Sequence, residues 1–206
     1  LNIGCNRTYF GATSPTASVS TTKAEPLRKL IYECCSELFL SHFSAHGCPS
    51  KLFEESNHRL TFWIGKTSKK VTNQETKVYS TKYQKWYADE RKTLFENLQY
   101  DFIPKNWTNS YLPKIYCKKS KSIFSKLIAT KSLGPTYNGN KYVIFYYNAP
   151  IHWVKAFNFL PRSWNERDGD IKGSHYKELS FNSEENALST IAALNTTLSY
   201  FWFIVA

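Results

Sequence analysis

Between Ala24 and Gly65 the hydrophobic pattern changes from a helical period to strand-like runs, and that change narrows the folds open to the chain. In the segment AEPLRKLIYECC, Ala24–Cys35, apolar residues fall at Leu27, Leu30, Ile31, Cys34 and Cys35, the spacing of one helix face. Pro26 suits a first helical turn, where a missing N–H costs nothing. The run ELFLSHFS, Glu37–Ser44, has the length and composition of a buried strand. After an irregular connection, Arg59–Gly65 is rich in β-formers and predicts a second strand. Helix, strand, loop and strand together predict the closing edge of an α/β sheet, with an antiparallel strand at the margin of a mostly parallel one. Residues 1–22, rich in Ser, Thr and Gly, read as loop.

The polar stretch 66–77 reads as a domain boundary, which gives one region at 1–70 and a second at 78–206. In the second region the pattern predicts helices over Gln84–Leu98 and Ser120–Thr130. Asn138–Gly139 is a turn signal. Strands are expected at Tyr142–Tyr147 and in HYKELSF, followed by one closing helix over Glu184–Phe203.

The 206 residues are 42% hydrophobic and 17% aromatic, enough for one good core or two small ones and against disorder. Five cysteines, an odd number with no repeated spacing and with Cys34 beside Cys35, fit a reducing cytoplasm rather than a disulfide framework. The first residues show no secretory signal pattern, and the apolar run LSYFWFIVA is far too short to span a bilayer, so no membrane partner is expected. A chain without methionine that starts on Leu and stops inside an apolar run has the look of a piece of a longer protein.

Charge is concentrated. Residues 66–131 hold 15 Lys/Arg against five Asp/Glu, nearly the whole of the net charge of +11. Such a zone is the footprint of a polyanion binder, or else a solvated lysine-rich face.

The segment CPSKLFEESNHRLTFWIG, Cys48–Gly65, resembles the end of the catalytic domain in amino-methylating adenine DNA methyltransferases of restriction–modification systems. The matching residues are Pro49, Ser50, Leu52, Phe53 and Glu54, then the strand from Arg59 to Gly65. VYSTKYQKWYADERKTLF (Val78–Phe95), YYNAPIHWVKAF (Tyr146–Phe157) and ALNTTLSYFW (Ala193–Trp202) resemble, in order, the target-recognition region that follows. The resemblance implies the α/β edge of a Rossmann-like methyltransferase domain followed by an α+β target-recognition domain. It implies methyl transfer from S-adenosylmethionine to adenine N6 in the full-length enzyme, on double-stranded DNA, with a restriction nuclease domain or subunit as a further partner. The chain departs from the family in carrying Glu55 and Ser56 where relatives have glycine and an apolar residue. The catalytic Asn/Asp-Pro-Pro-aromatic motif is absent, as is a glycine-rich loop after a strand. No catalytic residue is therefore assigned, and S-adenosylmethionine is not expected to bind this chain alone.

Such enzymes flip the target base out of the duplex and stack it on aromatics. By position, Phe62 or Trp63 would make one such contact, and the competing reading makes both of them sheet-core aromatics. Lys66, Lys69, Lys70, Lys77, Lys82 and Lys85 surround the expected boundary, and Lys114, Lys118, Lys119, Lys121, Lys126 and Lys131 form a second cluster. If six lysines meet phosphates, affinity falls by about three orders of magnitude across a modest rise in salt. Phosphate contacts set register, and base reading needs side chains such as amides. Asn138, Asn140 and Asn148 are candidate base readers, although turn chemistry accounts for Asn138 and Asn140 equally well. His42, His46 and Cys48 have no second ligand cluster, so no metal is expected. The acidic run NERDGD reads as a solvated turn. The alternative to an enzyme fragment is a non-catalytic DNA-binding specificity module, or a degenerate remnant of a methyltransferase.

Overall fold

The computed structural model describes residues 8–45, 52–53, 58–67, 75–108, 111–130, 137–150, 153–173 and 175–206. Two compact units make up the chain: Leu1–Phe124 with Ile204–Ala206, and Ser125–Phe203.

The first unit is built on a five-stranded mixed sheet. Its strands are β1 (Tyr9–Pro15), β2 (Cys35–Phe43), β3 (Leu60–Thr67), β4 (Lys77–Gln84) and β5 (Asp101–Ile103), in the order β1-β3-β2-β4-β5. Only β2 and β4 run parallel; the other neighbours are antiparallel. Leu38, Leu40 and Phe43 of β2 and Val78 of β4 are fully buried, which is why the central strands read as apolar runs. Preceding the sheet's centre are the short α1 (Ala17–Ser20) and α2 (Glu25–Cys34), the latter where the helical spacing places it. The buried Arg28 on α2 donates from Nη1 to the Ser18 and Thr21 carbonyls at 2.8 Å each, tying α2 back to α1.

Four sequence readings change here. The loop expected over 1–22 contains β1, which pairs along β3 from Tyr9↔Lys66 to Pro15↔Leu60. Its side chains are mostly exposed, so the strand is specified by β3's free edge and not by a pattern of its own. β3 is consequently an inner strand, not the margin. The stretch 66–77 links two strands of one sheet, and the division between compact units falls after Phe124. The helix expected over Gln84–Leu98 is a 3-10 turn at Ala88–Thr93. Trp86 and Leu94 both turn inward onto Phe43, and Tyr87 is extended, which leaves no room for a continuous α-helix.

In the second unit, β6 (Tyr142–Tyr147) pairs with β7 (Ala156–Phe157) and with β10 (Tyr176–Phe181), all antiparallel. β8 (Arg162–Asn165) and β9 (Gly169–Lys172) form a separate hairpin that carries the acidic run, and Asn165 Oδ1 accepts from Arg167 N and Asp168 N. α3 (Lys118–Ile128) begins in the first unit. The single closing helix expected is two, α4 (Glu184–Leu194) and α5 (Thr197–Val205), bent by 66°. Asn195 makes the break: its Nδ2 donates to the Ala156 carbonyl at 2.9 Å and its Oδ1 accepts from Ala156 N at 3.1 Å. Ile144, Phe181 and Ala187 form this unit's core.

Asn138–Gly139 does not turn a hairpin. Asn138 bridges to Ser180 instead, and Gly139 N donates to the Ser180 carbonyl at 2.9 Å. A Cβ at Gly139 would lie 2.0 Å from the Phe181 carbonyl carbon and 2.2 Å from Asn182 N. The glycine is there for close backbone approach. Gly139→Ala is expected to destabilise this unit by about 1–3 kcal/mol, the usual cost of overpacking against atoms that cannot yield. A lowered urea midpoint would show it, and an unchanged midpoint would refute the close-approach argument.

Candidate nucleic-acid interface

β4 ends at Gln84, and the chain re-enters this side of the unit at Tyr116, just before α3. Lys82 Nζ lies 5.5 Å above the Tyr116 ring, a cation–π approach. That contact joins the two lysine clusters read separately in the sequence. Lys82 and Lys85 come from the first, Lys118 and Lys119 from the second, and all four are exposed. None of the four makes an ion pair among the described residues.

α3 opens with Lys118, Lys119 and Lys121 and has no acidic residue in its first turn. A helix N-terminus carries partial positive charge, where an anion is favoured by ~0.3–1 kcal/mol and a cation is disfavoured. Lys118 and Lys119 add positive charge at that end, while Lys121 is held by Asp101 and the Ser120 N–H is bonded to Cys117 Sγ. Cys117 stands immediately before the helix. Hydrogen bonds from Ser120, first its hydroxyl and then its N–H, hold the Cys117 thiol below its ordinary range.

The remaining candidates are scattered or engaged. Lys121 Nζ sits 2.6 Å from Asp101 Oδ1, and Lys66 Nζ is 3.7 Å from Glu37 Oε2. Lys126 is exposed farther along α3, in the second unit. Lys69, Lys70, Lys131, Pro49 and Ser50 lie outside the described residues, as do His46 and Cys48. Leu52 packs against the Phe43–Trp86–Leu94 cluster, and its carbonyl accepts from Arg91 Nη2 at 2.8 Å. Phe53 is exposed. The Arg59 carbonyl accepts from Thr16 N at 2.8 Å.

Trp63 is 2% exposed and its indole donates to Ser14 Oγ at 2.7 Å, so it is committed to sheet packing. Phe62 is half-buried, edge-on to Phe43 and Phe95. Asn138, Asn140 and Asn148 are all exposed, in the second unit. His42 is fully buried between Thr61 Oγ1 at 2.9 Å and Ser80 Oγ at 3.0 Å. Both ring nitrogens are thereby taken by hydroxyls, and no group of His, Cys, Asp or Glu suited to a metal occurs among the described residues. No single helix there is long and apolar enough to cross a membrane.

Sequence reasoning missed the neighbourhood of Tyr116 and Trp86. Tyr116 sits in an otherwise unremarkable loop, and its value comes from a lysine 34 positions earlier in the chain.

No family model matches the chain, and no curated protein does. Among solved structures it is similar to a chain of "cryoEM structure DrdV-DNA complex", at 13% identity and a TM-score of 0.39. The match covers 70% of this chain and 17% of that one.

Proposed function

We propose that this chain binds double-stranded DNA through the face formed by Lys82, Lys85, Tyr116 and the N-terminal turn of α3. The observation that carries the reading is the approach of Lys82 to Tyr116, which gathers two lysine clusters at one helix N-terminus. Ammonium groups with no ion-pair partner among the described residues, at a strand end and a helix end, act as phosphate contacts, which position a duplex without reading it. In the second unit, taken by itself, the exposed amides Asn138, Asn140 and Asn148 are candidate contacts to base edges.

The resemblance carried by Leu52, Phe53 and the Arg59–Gly65 strand supports a finer proposal. In it the chain is the DNA-gripping part of an adenine N6-methyltransferase, with the five-stranded sheet as the closing edge of a Rossmann-like domain and the second unit as target-recognition domain. Because Trp63 is engaged with Ser14, Phe62 is the side chain left for a flipped base. S-adenosylmethionine belongs to the rest of such an enzyme: the sequence offers no glycine-rich loop after a strand to cradle it, and no chemical step is assigned to the residues here. A non-catalytic specificity module would use the same DNA-binding face.

The test is a titration of a labelled duplex with the chain at two salt concentrations. If three phosphates are engaged, affinity drops by about 1.5 orders of magnitude between 50 and 200 mM salt. Absence of binding at the lower salt, or binding indifferent to salt, would contradict the proposal.

A further inference from the structure

A cavity of about 190 Å³ opens beside this face, where β4 ends and the 3-10 turn begins. Lys82, Lys85, Trp86, Asn97, Gln99 and Tyr116 line it. Its volume is several times the ~30 Å³ that one water occupies in the liquid. The lining is rich in hydrogen-bond donors. Two ammonium groups face it without an ion-pair partner among the described residues. Its one carboxylate, Glu90, is already held by the Tyr87 N–H at 2.6 Å.

Trp86 belongs to the lining and gives the cavity a reporter. It is 2% exposed, and its indole N–H has no acceptor among the described residues. The N–H itself is closed off from the cavity, so it senses an occupant through the ring and makes no bond to it. Arg91 lies 5.9 Å from the centre of the same ring and adds positive charge beside it. Two ammonium groups and two amides outweigh the one carboxylate, and such a lining favours an oxyanion over a cation or an apolar group.

We propose that this cavity is a phosphate pocket that seats one backbone phosphate of bound DNA. The inference rests on the reading of the chain as a DNA binder and adds the place where the strand is pinned. Lys82 and Lys85 neutralise the phosphate, and the amides of Asn97 and Gln99 donate to its oxygens. Tyr116, with Lys82 over its ring, closes the side next to α3.

The experiment follows the Trp86 indole N–H resonance in the full chain by NMR, with a duplex oligonucleotide in one arm and inorganic phosphate in the other. The resonance should move with duplex, and K82Q/K85Q should abolish that movement while the other indole signals keep their positions. The same double variant should make the plot of log K against log salt shallower by about 0.9, the share of one phosphate. Movement in both arms supports a phosphate pocket that the DNA backbone occupies. Movement with inorganic phosphate alone, while duplex binds elsewhere, overturns the backbone assignment in favour of a small phosphate-bearing ligand. A stationary resonance in both arms while duplex still binds overturns the pocket and leaves DNA binding intact. Failure of duplex to bind, with movement on inorganic phosphate, overturns DNA binding and keeps the pocket.

Discussion

Replacing Lys82, Lys85, Lys118 and Lys119 together by glutamine is expected to lower affinity for duplex DNA by roughly two to three orders of magnitude near 0.1 M salt. The figure follows from counterion release. Each neutralised phosphate contributes about 0.9 to the slope of log K against log salt, and hence about 0.9 of a decade at 0.1 M. With Lys82 and Lys85 on one phosphate and Lys118 and Lys119 on two others, the slope should become shallower by about 2.7. All four side chains are exposed, and within the folded chain the substitutions disturb the cation–π approach of Lys82 to Tyr116. Such an approach is worth about 0.5–1 kcal/mol at an exposed site, too little to unfold the chain. The drop in affinity should be equal for unrelated duplex sequences, because phosphate contacts carry no sequence information. Filter binding or fluorescence anisotropy measures it, with circular dichroism as the check on folding. An affinity within a fewfold of the parent chain would remove this face from consideration.

Stability is expected to rise as pH increases from 7 to 9, and Lys114 is the cause. Its side chain is buried, with Nζ donating to Ser20 Oγ at 3.1 Å and to the Ala206 carbonyl at 3.0 Å. Burial, with help from Arg59, pushes its pKa down from 10.5 to about 7. The unfolded chain therefore binds more protons than the folded one between about pH 7 and 10.5, and unfolding free energy rises with pH across that window. Below pH 7 both states hold the proton and the full cost of a buried ammonium remains. His42 acts in the same direction at lower pH. Burial, then the charge of Lys114, holds it well below its usual value, so stability falls further on acidification below about pH 6.5. Above pH 9 Cys35 opposes the trend: burial raises its thiol to about 11, so the unfolded state loses that proton first. The net change between pH 7 and 9 should amount to a few kcal/mol. Urea midpoints at pH 6, 7, 8 and 9 measure it, and Lys114→Met should flatten the profile between 7 and 9. A flat profile in the parent chain, or an unaltered rise in the variant, would exclude Lys114 as the source.

Much of the framework can be read from the chain because its inner strands and helices bury what they should. β2, β3, α3, β6 and β10 fall where period and composition place them, since each buries part of its apolar pattern, whereas α2 forms where the spacing places it although Leu27 and Leu30 stay exposed and Arg28 is its buried residue. β1 is illegible for the opposite reason: its partner supplies the specification, and its own side chains remain largely in solvent. The break at Asn195 is a single polar contact to Ala156, invisible to a hydrophobic pattern that continues to Phe203. At the proposed DNA-binding face the lysines are visible as charge, and what is not visible is that Lys82 meets Tyr116, just before the second cluster. Trp63 shows the limit of reading by position, since one hydrogen bond to Ser14 decides between packing and contact.

The order β1-β3-β2-β4-β5 has a consequence for how the molecule comes into being. β1 has no partner until β3 is made, and Tyr9 pairs with Lys66 about 60 residues later, roughly 3–10 s at ordinary synthesis rates. β2 gains its parallel neighbour only when the chain has passed Gln84. Such distant pairings make loop closure precede the reward of contact, and folding is slow in proportion. For those seconds the apolar β2 segment emerges with its edges open, so the yield of folded protein in a cell depends on keeping nascent chains apart.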